Sequence, residues 1–349
     1  MELTLYCPVY GYYEKDKDTI GRRGDFFTSV SVGSLFGELL AFQFAEWLDE
    51  VRSASSDGSR AGCKAQIVEA GAHDGELARD ILNWLRENRA ELFHQCAYWI
   101  LEPSARRQQR QRETLADFGN KTHWVTCLEE LASEGVFGII VSNELLDAMP
   151  VHRLSWNAAN KEWLEWGVAV KEGHLVWARL PRSGISNLKL QISHLPGELL
   201  NILPDGFSTE VCPAAQDWWS EAAGLLRRGK LLTIDYGLTA EEFFSPGRSE
   251  GTLRAYYRHH LSRDLLARPG EQDLTADVNF TAVQSAGEAA GLRTEQFASQ
   301  AEFLTHIAER VWGSRKKSGE WFASRNRQFQ TLTHPEHLGR RFRVLIQAR

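Results

Sequence analysis

Cysteines are few and widely separated in this chain of 349 residues. No two of them form a Cys-x-x-Cys pair. This spacing favours neither a zinc site nor a disulfide framework, so we expect reduced thiols and no bound metal. The cysteines are Cys7, Cys63, Cys96, Cys127 and Cys212.

The chain also lacks long apolar runs and an excess of basic residues. No stretch approaches the roughly 18 apolar residues that a membrane-spanning helix needs, and no basic-then-apolar leader follows Met1. We therefore expect a cytoplasmic protein without membrane insertion. The formal net charge of −6 argues against a general nucleic-acid binder and is compatible with a basic protein partner.

Two nucleotide-binding fingerprints are absent as well. Neither Gly-x-Gly-x-x-Gly nor the phosphate-binding Gly-x-x-x-x-Gly-Lys-(Ser/Thr) occurs, which disfavours a nicotinamide-dependent oxidoreductase. In their place, an apolar run ends near Glu69 and is followed by Gly71, Gly75 and an amphipathic segment. This pattern predicts a strand, a tight turn and a helix whose N-terminus faces a ligand.

The Glu-x-Gly-x-x-x-Gly loop resembles the first motif of class I S-adenosylmethionine (SAM) methyltransferases. The next apolar run, residues 97–101, ends at Glu102. Nucleotide-binding α/β folds use an acidic residue at such a strand end to hold a ribose. The two strand ends together outline a nucleoside pocket. The alternative is an ordinary β-α turn in a doubly wound sheet.

Strand and helix patterns alternate along most of the chain. A long amphipathic helix is predicted before the first strand, and the alternation that follows implies a Rossmann-like α/β fold with a parallel sheet. The predicted strands are 66–70, 97–101, 122–126, 136–142 and 230–237, with an edge pair at 292–298 and 342–347. The predicted helices are 34–51, 75–88, 104–118 and 127–134.

Two insertions are expected in this core, together forming a lid. Alternating residues around Lys171-Glu172-Gly173 predict a β-hairpin in the first of them. The predicted division is an N-terminal helical segment (1–61), a Rossmann-like SAM-binding core (62–152, 210–237 and 281–349), a β-rich insertion (153–209) and a second insertion (238–280).

Six segments, in order, resemble the MidA-like SAM-dependent methyltransferases. The resemblance spans nearly the whole chain, and its most specific element is the Asn-Glu-x-x-Asp-Ala-x-Pro-Val run that begins at Asn143. The matching segments are 24–29 with 36–38, 69–75, 101–104, 142–151, 234–237 and 270–280.

This resemblance implies a SAM-dependent methyltransferase that acts on a protein side chain, with arginine as the first expectation. The family includes mitochondrial complex I assembly factors that methylate arginine, so the implied partner is a protein substrate such as a respiratory-complex-like subunit. The expected cofactor-binding residues are Asp25, Thr28, Glu69, Gly71, Gly75, Glu102, Cys127, Leu128 and Asn143. The expected catalytic residues are Glu144, Asp147, Asp235 and His259.

Within this set, Glu69, Gly71 and Gly75 would shape the methionine side, and Glu102 would accept hydrogen bonds from the ribose hydroxyls. The loop around Cys127 and Leu128 would flank adenine. Glu144, Asp147 and Asp235 would face the acceptor, because carboxylates match the planar fork of a guanidinium.

Some of these residues also have a purely structural explanation. Glu144 and Asp147 would otherwise be acids at a helix N-terminus, which favour the helix dipole. His259 would otherwise be an exposed loop histidine. His73 stands where the family motif has its middle glycine. The alternative function is therefore a catalytically silent assembly factor or chaperone-like binding protein that retains the fold.

Overall fold

The computed structural model describes residues 1–15, 28–53, 65–181, 197–258, 260–262, 264–314 and 323–349. Its strands are β1 (Ala65–Ala70), β2 (Cys96–Leu101), β3 (Thr122–Val125), β4 (Val136–Asn143), β5 (His152–Asn157), β6 (Glu162–Lys171), β7 (His174–Arg179), β8 (Ser208–Val211), β9 (Leu226–Leu238), β10 (Arg254–Tyr257), β11 (His260–Ser262), β12 (Asp273–Thr275), β13 (Val278–Asn279), β14 (Arg293–Ser299) and β15 (Phe342–Ala348).

Helices surround these strands. They are α1 (Glu2–Tyr6), α2 (Leu35–Ser53), α3 (Glu76–Asn88), α4 (Ala90–Gln95), α5 (Ala105–Thr114), α6 (Gly197–Leu200), α7 (Pro213–Leu225), α8 (Ala240–Phe243), α9 (Phe280–Ala289), α10 (Gln300–Ser314) and α11 (Ala323–Thr333). Single 3-10 turns occur at Tyr12–Glu14, Val30–Val32, Ala116–Lys121, Leu128–Leu131 and Pro246–Arg248. No helix in the described part of the chain is both long and apolar enough to cross a membrane.

The central sheet confirms the predicted α/β fold. Its strand order is β14-β15-β9-β4-β1-β2-β3, and β13 pairs with β9 beside this path. The five strands from β9 to β3 run parallel. At one edge β15 runs antiparallel to β9, and β14 runs antiparallel to β15, so β14 has the same direction as the five. The edge pair expected from the C-terminal segments is therefore present, with β15 lying directly against β9.

Helices cover both faces of this sheet, as the predominantly parallel strands require. Because successive side chains of a strand point to opposite faces, Ile67 packs into a core with α2 and α3, while Val68 packs into a second core on the other face. In that second core Trp219 of α7 is fully buried, and its indole N–H donates to the Gln347 side chain over 2.7 Å.

Two predicted helices are shorter in the structure. The helix predicted over 104–118 ends at Thr114, and a 3-10 turn interrupted by Gly119 (φ 50°) follows it. The helix predicted over 127–134 is only the 3-10 turn Leu128–Leu131. Leu128 and Leu131 are both buried. A spacing of three residues suits one 3-10 turn, so no longer helix is needed to bury this pair.

Separate small sheets occupy the two connections around β9. The connection from β4 to β9 carries the sheet β7-β6-β5-β8, and the connection from β9 to α9 carries the sheet β11-β10-β12. The N-terminal segment packs on the latter, where Leu5, Tyr12, Ala255 and Leu274 form a small core. The domain boundaries given above stay predictions.

Close approach of strands makes Gly138 of β4 a sensitive position. A Cβ atom there would lie 1.9 Å from the Gln66 backbone oxygen, and the residue has a φ of 152°. We expect Gly138→Ala to lower the free energy of unfolding by about 2–5 kcal/mol, because backbone atoms of β1 cannot move aside cheaply. Urea denaturation followed by circular dichroism measures the change.

Gly224→Ala is the matched control. Gly224 lies in α7 with no atom within 4 Å of its added Cβ, so this change should be neutral or stabilising by up to about 1 kcal/mol. Equal denaturation midpoints for the two variants would contradict the packing described for β4.

Candidate active site

A cavity of about 1770 Å³ opens at the carboxyl ends of β1, β2 and β4. This is the edge at which open α/β sheets bind ligands. Its volume exceeds the roughly 300–1,000 Å³ of an ordinary small-molecule site, so it has room for a cofactor and part of a second substrate. Glu69, Glu102, Asn143 and Glu144 all line it.

The loop after β1 contains two glycines with left-handed backbone. Gly71 has a φ of 74°, and a Cβ atom there would lie 2.9 Å from Leu145 Cδ1. Gly75 has a φ of 83° and immediately precedes α3. Both positions use the left-handed backbone that glycine adopts without strain. Bare backbone at Gly71 therefore borders the cavity.

His73 stands where the family motif has its middle glycine, and its backbone is left-handed. Its φ is 48°, a left-handed value that is uncommon for a side-chain-bearing residue. The imidazole Nδ1 lies 3.3 Å from Asp74 Oδ2, and this hydrogen bond lowers the pKa of the Asp74 carboxyl. The His73 carbonyl oxygen accepts from Gln111 Nε2 over 2.9 Å. Hydrogen bonds thus hold both the side chain and the backbone carbonyl of His73.

Glu69 lies beneath this loop and is almost fully buried. Its Oε2 accepts a hydrogen bond from the Tyr98 hydroxyl over 2.7 Å. Burial raises the pKa of Glu69 to about 7, against the lowering effect of that hydrogen bond. A carboxyl so placed is ready for a further donor or a cation at the cavity wall.

Glu102 follows β2 and is held in one orientation by two donors. Ser104 N donates to Oε1 over 3.0 Å, and Gln111 Nε2 donates to Oε2 over 3.2 Å. Burial raises the pKa of this carboxyl. Each oxygen retains further acceptor capacity, so the pair can receive two adjacent hydroxyl groups.

The other predicted cofactor residues are placed as follows. Cys127 and Leu128 line the same cavity, Cys127 exposed and Leu128 buried. Thr28 also lines it and is tied into a local turn, since Ser31 N donates to Thr28 Oγ1 over 3.0 Å. Asp25 and His259 lie outside the described residues.

The turn after β4 carries Glu144 and Asp147, two of the acids predicted to face the acceptor. Glu144 has a φ of 51°. Its Oε1 accepts from Ser29 N over 3.0 Å and from Asn143 Nδ2 over 3.2 Å. Burial, reinforced by nearby Asp235, raises the pKa of Glu144 to about 8. Residues 144–151 form bends and turns, so the alternative of helix N-terminal acids does not apply.

Asn143 presents an unpaired acceptor beside Glu144. Its amide nitrogen donates to Glu144, but the buried Oδ1 has no hydrogen-bond partner within the described structure. Burying an unpaired amide oxygen costs about 1–3 kcal/mol, which a bound donor would recover. Because Asn143 lines the cavity, a ligand group can supply that donor.

Asp235 is absent from the cavity wall formed by the described residues. It is fully buried, and its Oδ2 accepts from the backbone N–H groups of Leu145, Leu146 and Asp147 over 3.1, 2.8 and 3.4 Å. Oδ1 accepts from Tyr236 N over 2.8 Å. This geometry favours a positioning role for Asp235 over the predicted place facing the acceptor.

Asp147 faces an acidic and aromatic wall that local sequence patterns do not reveal. Burial and the neighbouring carboxyls of Asp235 and Asp273 raise the pKa of Asp147 well above its usual range. Asp273 is buried and accepts from the Tyr13 hydroxyl over 2.8 Å, across 260 residues of chain. The Tyr6 ring lies 5.6 Å from the Tyr13 ring, centre to centre.

Strand order, glycine loop and acidic strand end define a class I SAM-dependent methyltransferase. A family model described as S-adenosyl-L-methionine-dependent methyltransferase matches residues 39–298. The chain belongs to the MidA-like family of these enzymes, as the sequence resemblance predicts.

Solved structures agree. One of them is a Burkholderia thailandensis protein bound to S-adenosylhomocysteine. It is 30% identical to this chain with a TM-score of 0.83, and the match covers 100% of this chain and 86% of that chain. A native crystal structure from the same organism is 30% identical with a TM-score of 0.80 and coverages of 100% and 85%. The predicted fold, enzyme class and SAM cofactor are therefore confirmed.

Curated relatives add a name for the activity. The mitochondrial protein arginine methyltransferase NDUFAF7 homolog of Drosophila melanogaster is 27% identical, over 99% of this chain and 79% of the relative. The Mus musculus protein of that name is also 27% identical, over 98% and 78%. The expected cytoplasmic location is wrong by this comparison, because these relatives are named as mitochondrial.

Glu144 should make the ligand-free protein less stable as the pH rises. The folded state holds its proton up to about pH 8, whereas the ordinary pKa of 4.5 applies after unfolding. The stabilising contribution is complete below pH 4.5 and is lost as the pH rises to about 8. Glu144→Gln keeps a neutral side chain and should flatten this decline, by at most about 5 kcal/mol.

Thermal unfolding of both proteins across this pH interval measures the effect. Glu87→Gln, on the exposed surface of α3, is the control and should follow the unmodified protein. Parallel curves for Glu144→Gln and the unmodified protein would show that Glu144 titrates alike in the folded and unfolded states.

Proposed function

We propose that this enzyme transfers a methyl group from SAM to an arginine side chain of a protein. The observation that carries the proposal is the pair of acids in the turn after β4. Glu144 and Asp147 line the same cavity as the cofactor loop, and both carboxyls have raised pKa values. The curated relatives named as arginine methyltransferases give independent support.

The cofactor would lie along the loop after β1. Gly71 admits it because a Cβ atom would fill the space next to Leu145. The unpaired Oδ1 of Asn143 suits the ammonium group of the methionine moiety. Glu102 would accept from the two ribose hydroxyls, while Cys127 and Leu128 would flank adenine. Glu69 would contribute to the methionine side.

SAM supplies a methyl group already activated by its sulfonium. The bond between the methyl carbon and sulfur breaks, and a bond from that carbon to the guanidinium nitrogen forms. The products are S-adenosylhomocysteine, the methylated arginine and one proton. The protein must align the nitrogen with the methyl and accept the proton. Two carboxyls separated by one turn can hold the planar guanidinium. A bound guanidinium favours the ionised form of Glu144, whose pKa is about 8 without ligand, so the carboxylate formed on binding can take the released proton.

Asp235 would act indirectly in this scheme. Its bonds to the backbone of Leu145, Leu146 and Asp147 fix the turn from which the two acids project. The partner would be a protein bearing the target arginine. A respiratory-complex-like subunit is the narrower hypothesis, which the family resemblance implies.

A silent assembly factor is the second candidate, favoured by His73 at the position of the motif's middle glycine. Two observations weigh against it. The loop keeps its left-handed shape at His73, and Glu102 is still oriented by Ser104 and Gln111. A site without a cofactor has no need of that orientation.

Glu102→Ala tests the cofactor pose. We expect S-adenosylhomocysteine to bind the unmodified protein and to bind this variant more than tenfold more weakly, because two charge-assisted hydrogen bonds are lost. Isothermal titration gives both affinities. Glu113→Ala, at an exposed position of α5, is the control and should bind normally. Unchanged affinity in Glu102→Ala would remove the ribose contact, and no binding to the unmodified protein would favour the silent factor.

Asp147→Asn tests the acceptor assignment. With SAM and a cell-lysate protein pool, the unmodified enzyme should produce methylarginine detectable by mass spectrometry. Asp147→Asn should reduce the yield of methylarginine about 100-fold, because the acceptor arginine loses a carboxylate that holds it. The affinity for S-adenosylhomocysteine should stay within about twofold, because the cofactor contacts are unchanged. Asp117→Asn, an exposed change, should retain activity. Methylation confined to lysine or glutamine would overturn the choice of arginine.

A further inference from the structure

Exposed apolar side chains occur on the N-terminal segment and on the sheet β11-β10-β12, two elements that also contribute residues to the cavity wall. Within the described residues, the largest exposures of this kind include Leu3 at 80%, Tyr10 at 72%, Val9 at 71% and Leu261 at 59%. We name these four residues the apolar collar. Exposed apolar groups that form one patch are typical of interaction sites, whereas scattered ones need no explanation.

The collar residues belong to one packed unit. The N-terminal segment contributes Leu5 and Tyr12 to a small core with Ala255 and Leu274 of the sheet β11-β10-β12. The loop before β12 also contacts this segment closely, since a Cβ atom on Gly270 would lie 2.2 Å from the Tyr10 backbone oxygen. Leu3, Val9 and Tyr10 are thereby carried on the same body as Leu261.

A row of side chains leads from the collar into the cavity. Leu261 lies opposite Tyr256, and Tyr256 lies opposite Asp273. Residues directly opposite on neighbouring strands project from the same face of a sheet. Exposure falls along this row, from 59% at Leu261 through half-buried Tyr256 to 2% at Asp273. Tyr256 and Asp273 both line the cavity.

Tyr6 connects the N-terminal part of the collar to the cavity, as Tyr256 does for Leu261. It lies three residues after Leu3 on α1, so the two share one face of the helix. The Tyr6 ring lines the cavity, and its hydroxyl donates to the Ala148 carbonyl oxygen over 2.8 Å. The collar is therefore continuous, on two separate elements, with the wall of the acceptor pocket.

Acidic residues lie along the route from the apolar collar into the cavity and determine which side chain can enter it. Asp273, Asp147 and Glu144 lie along this route and act on one another electrostatically. A cation that enters favours the ionised form of these carboxyls and is then attracted by them, whereas an acidic group is not. An apolar rim around an acidic interior is complementary to a basic side chain whose chain neighbours are apolar.

We propose that the apolar collar docks the acceptor protein and selects an arginine flanked by apolar residues. This proposal rests on the proposed function, because the acceptor must reach Glu144 and Asp147. The occupant is a peptide segment that places its flanking apolar side chains on Leu3, Val9, Tyr10 and Leu261. Its arginine then passes Tyr256 towards Asp273 and Asp147.

Two labelled peptides test the collar, each with one central arginine, flanked by leucines in one and by serines in the other. Fluorescence anisotropy with S-adenosylhomocysteine present should show about tenfold tighter binding of the leucine peptide. The double variant Tyr10→Ser/Leu261→Ser should lose this preference. Val168→Ser/Val170→Ser removes exposed apolar residues from β6, which contributes no residue to the described cavity wall, and should keep it.

Equal affinities for the two peptides, or no binding of the leucine peptide up to about 1 mM, would overturn the collar. So would loss of preference in the β6 control. Self-association of the unmodified protein that Tyr10→Ser/Leu261→Ser abolishes, seen by sedimentation, would identify the collar as a contact between copies instead. Mass spectrometry of the peptides after incubation with SAM separates the two proposals: methylarginine without flank preference overturns the collar alone, and its absence despite binding overturns the proposed function.

Discussion

Four backbone N–H groups donate to the carboxylate of Asp235, and the candidate active site depends on this arrangement. Three of the donors belong to the turn after β4, and the fourth is the N–H of Tyr236 on β9. A turn without helix or strand pairing has few backbone partners of its own, so a buried acceptor is needed to satisfy its donors. Asp235 supplies it, and thereby fixes the direction in which Glu144 and Asp147 project.

The acids so positioned are costly to the ligand-free protein. Burial and mutual repulsion raise the pKa of Glu144 to about 8 and the pKa of Asp147 well above its usual range. Both proposed ligands carry positive charge, on a sulfonium and on a guanidinium. Binding them relieves the repulsion, so the same crowding that reduces stability favours the two substrates. Separation of the acid groups from solvent strengthens that attraction.

Much of the core follows from local patterns that a sequence displays directly. Apolar periodicity locates the seven strands on the main path of the central sheet and the helices α2 and α3, but not the short β13. The need for left-handed backbone marks Gly71 and Gly75. Shorter elements escape this reasoning. At Leu128–Leu131 a single 3-10 turn buries two leucines, and an apolar pair three residues apart does not distinguish that turn from a helix.

The sequence by itself determined the α/β class, and it predicted the glycine loop, Glu102 and the acidic run from Glu144 as candidate site residues, because each depends on residues close together in the chain. Tertiary structure alone decided that Asp235 turns its carboxylate to the backbone and that Tyr13 meets Asp273 across 260 residues. Hydrogen bonds between distant segments depend on how sheets and loops pack. Periodicity records only the face that a residue buries, and it does not identify the partner that it meets there.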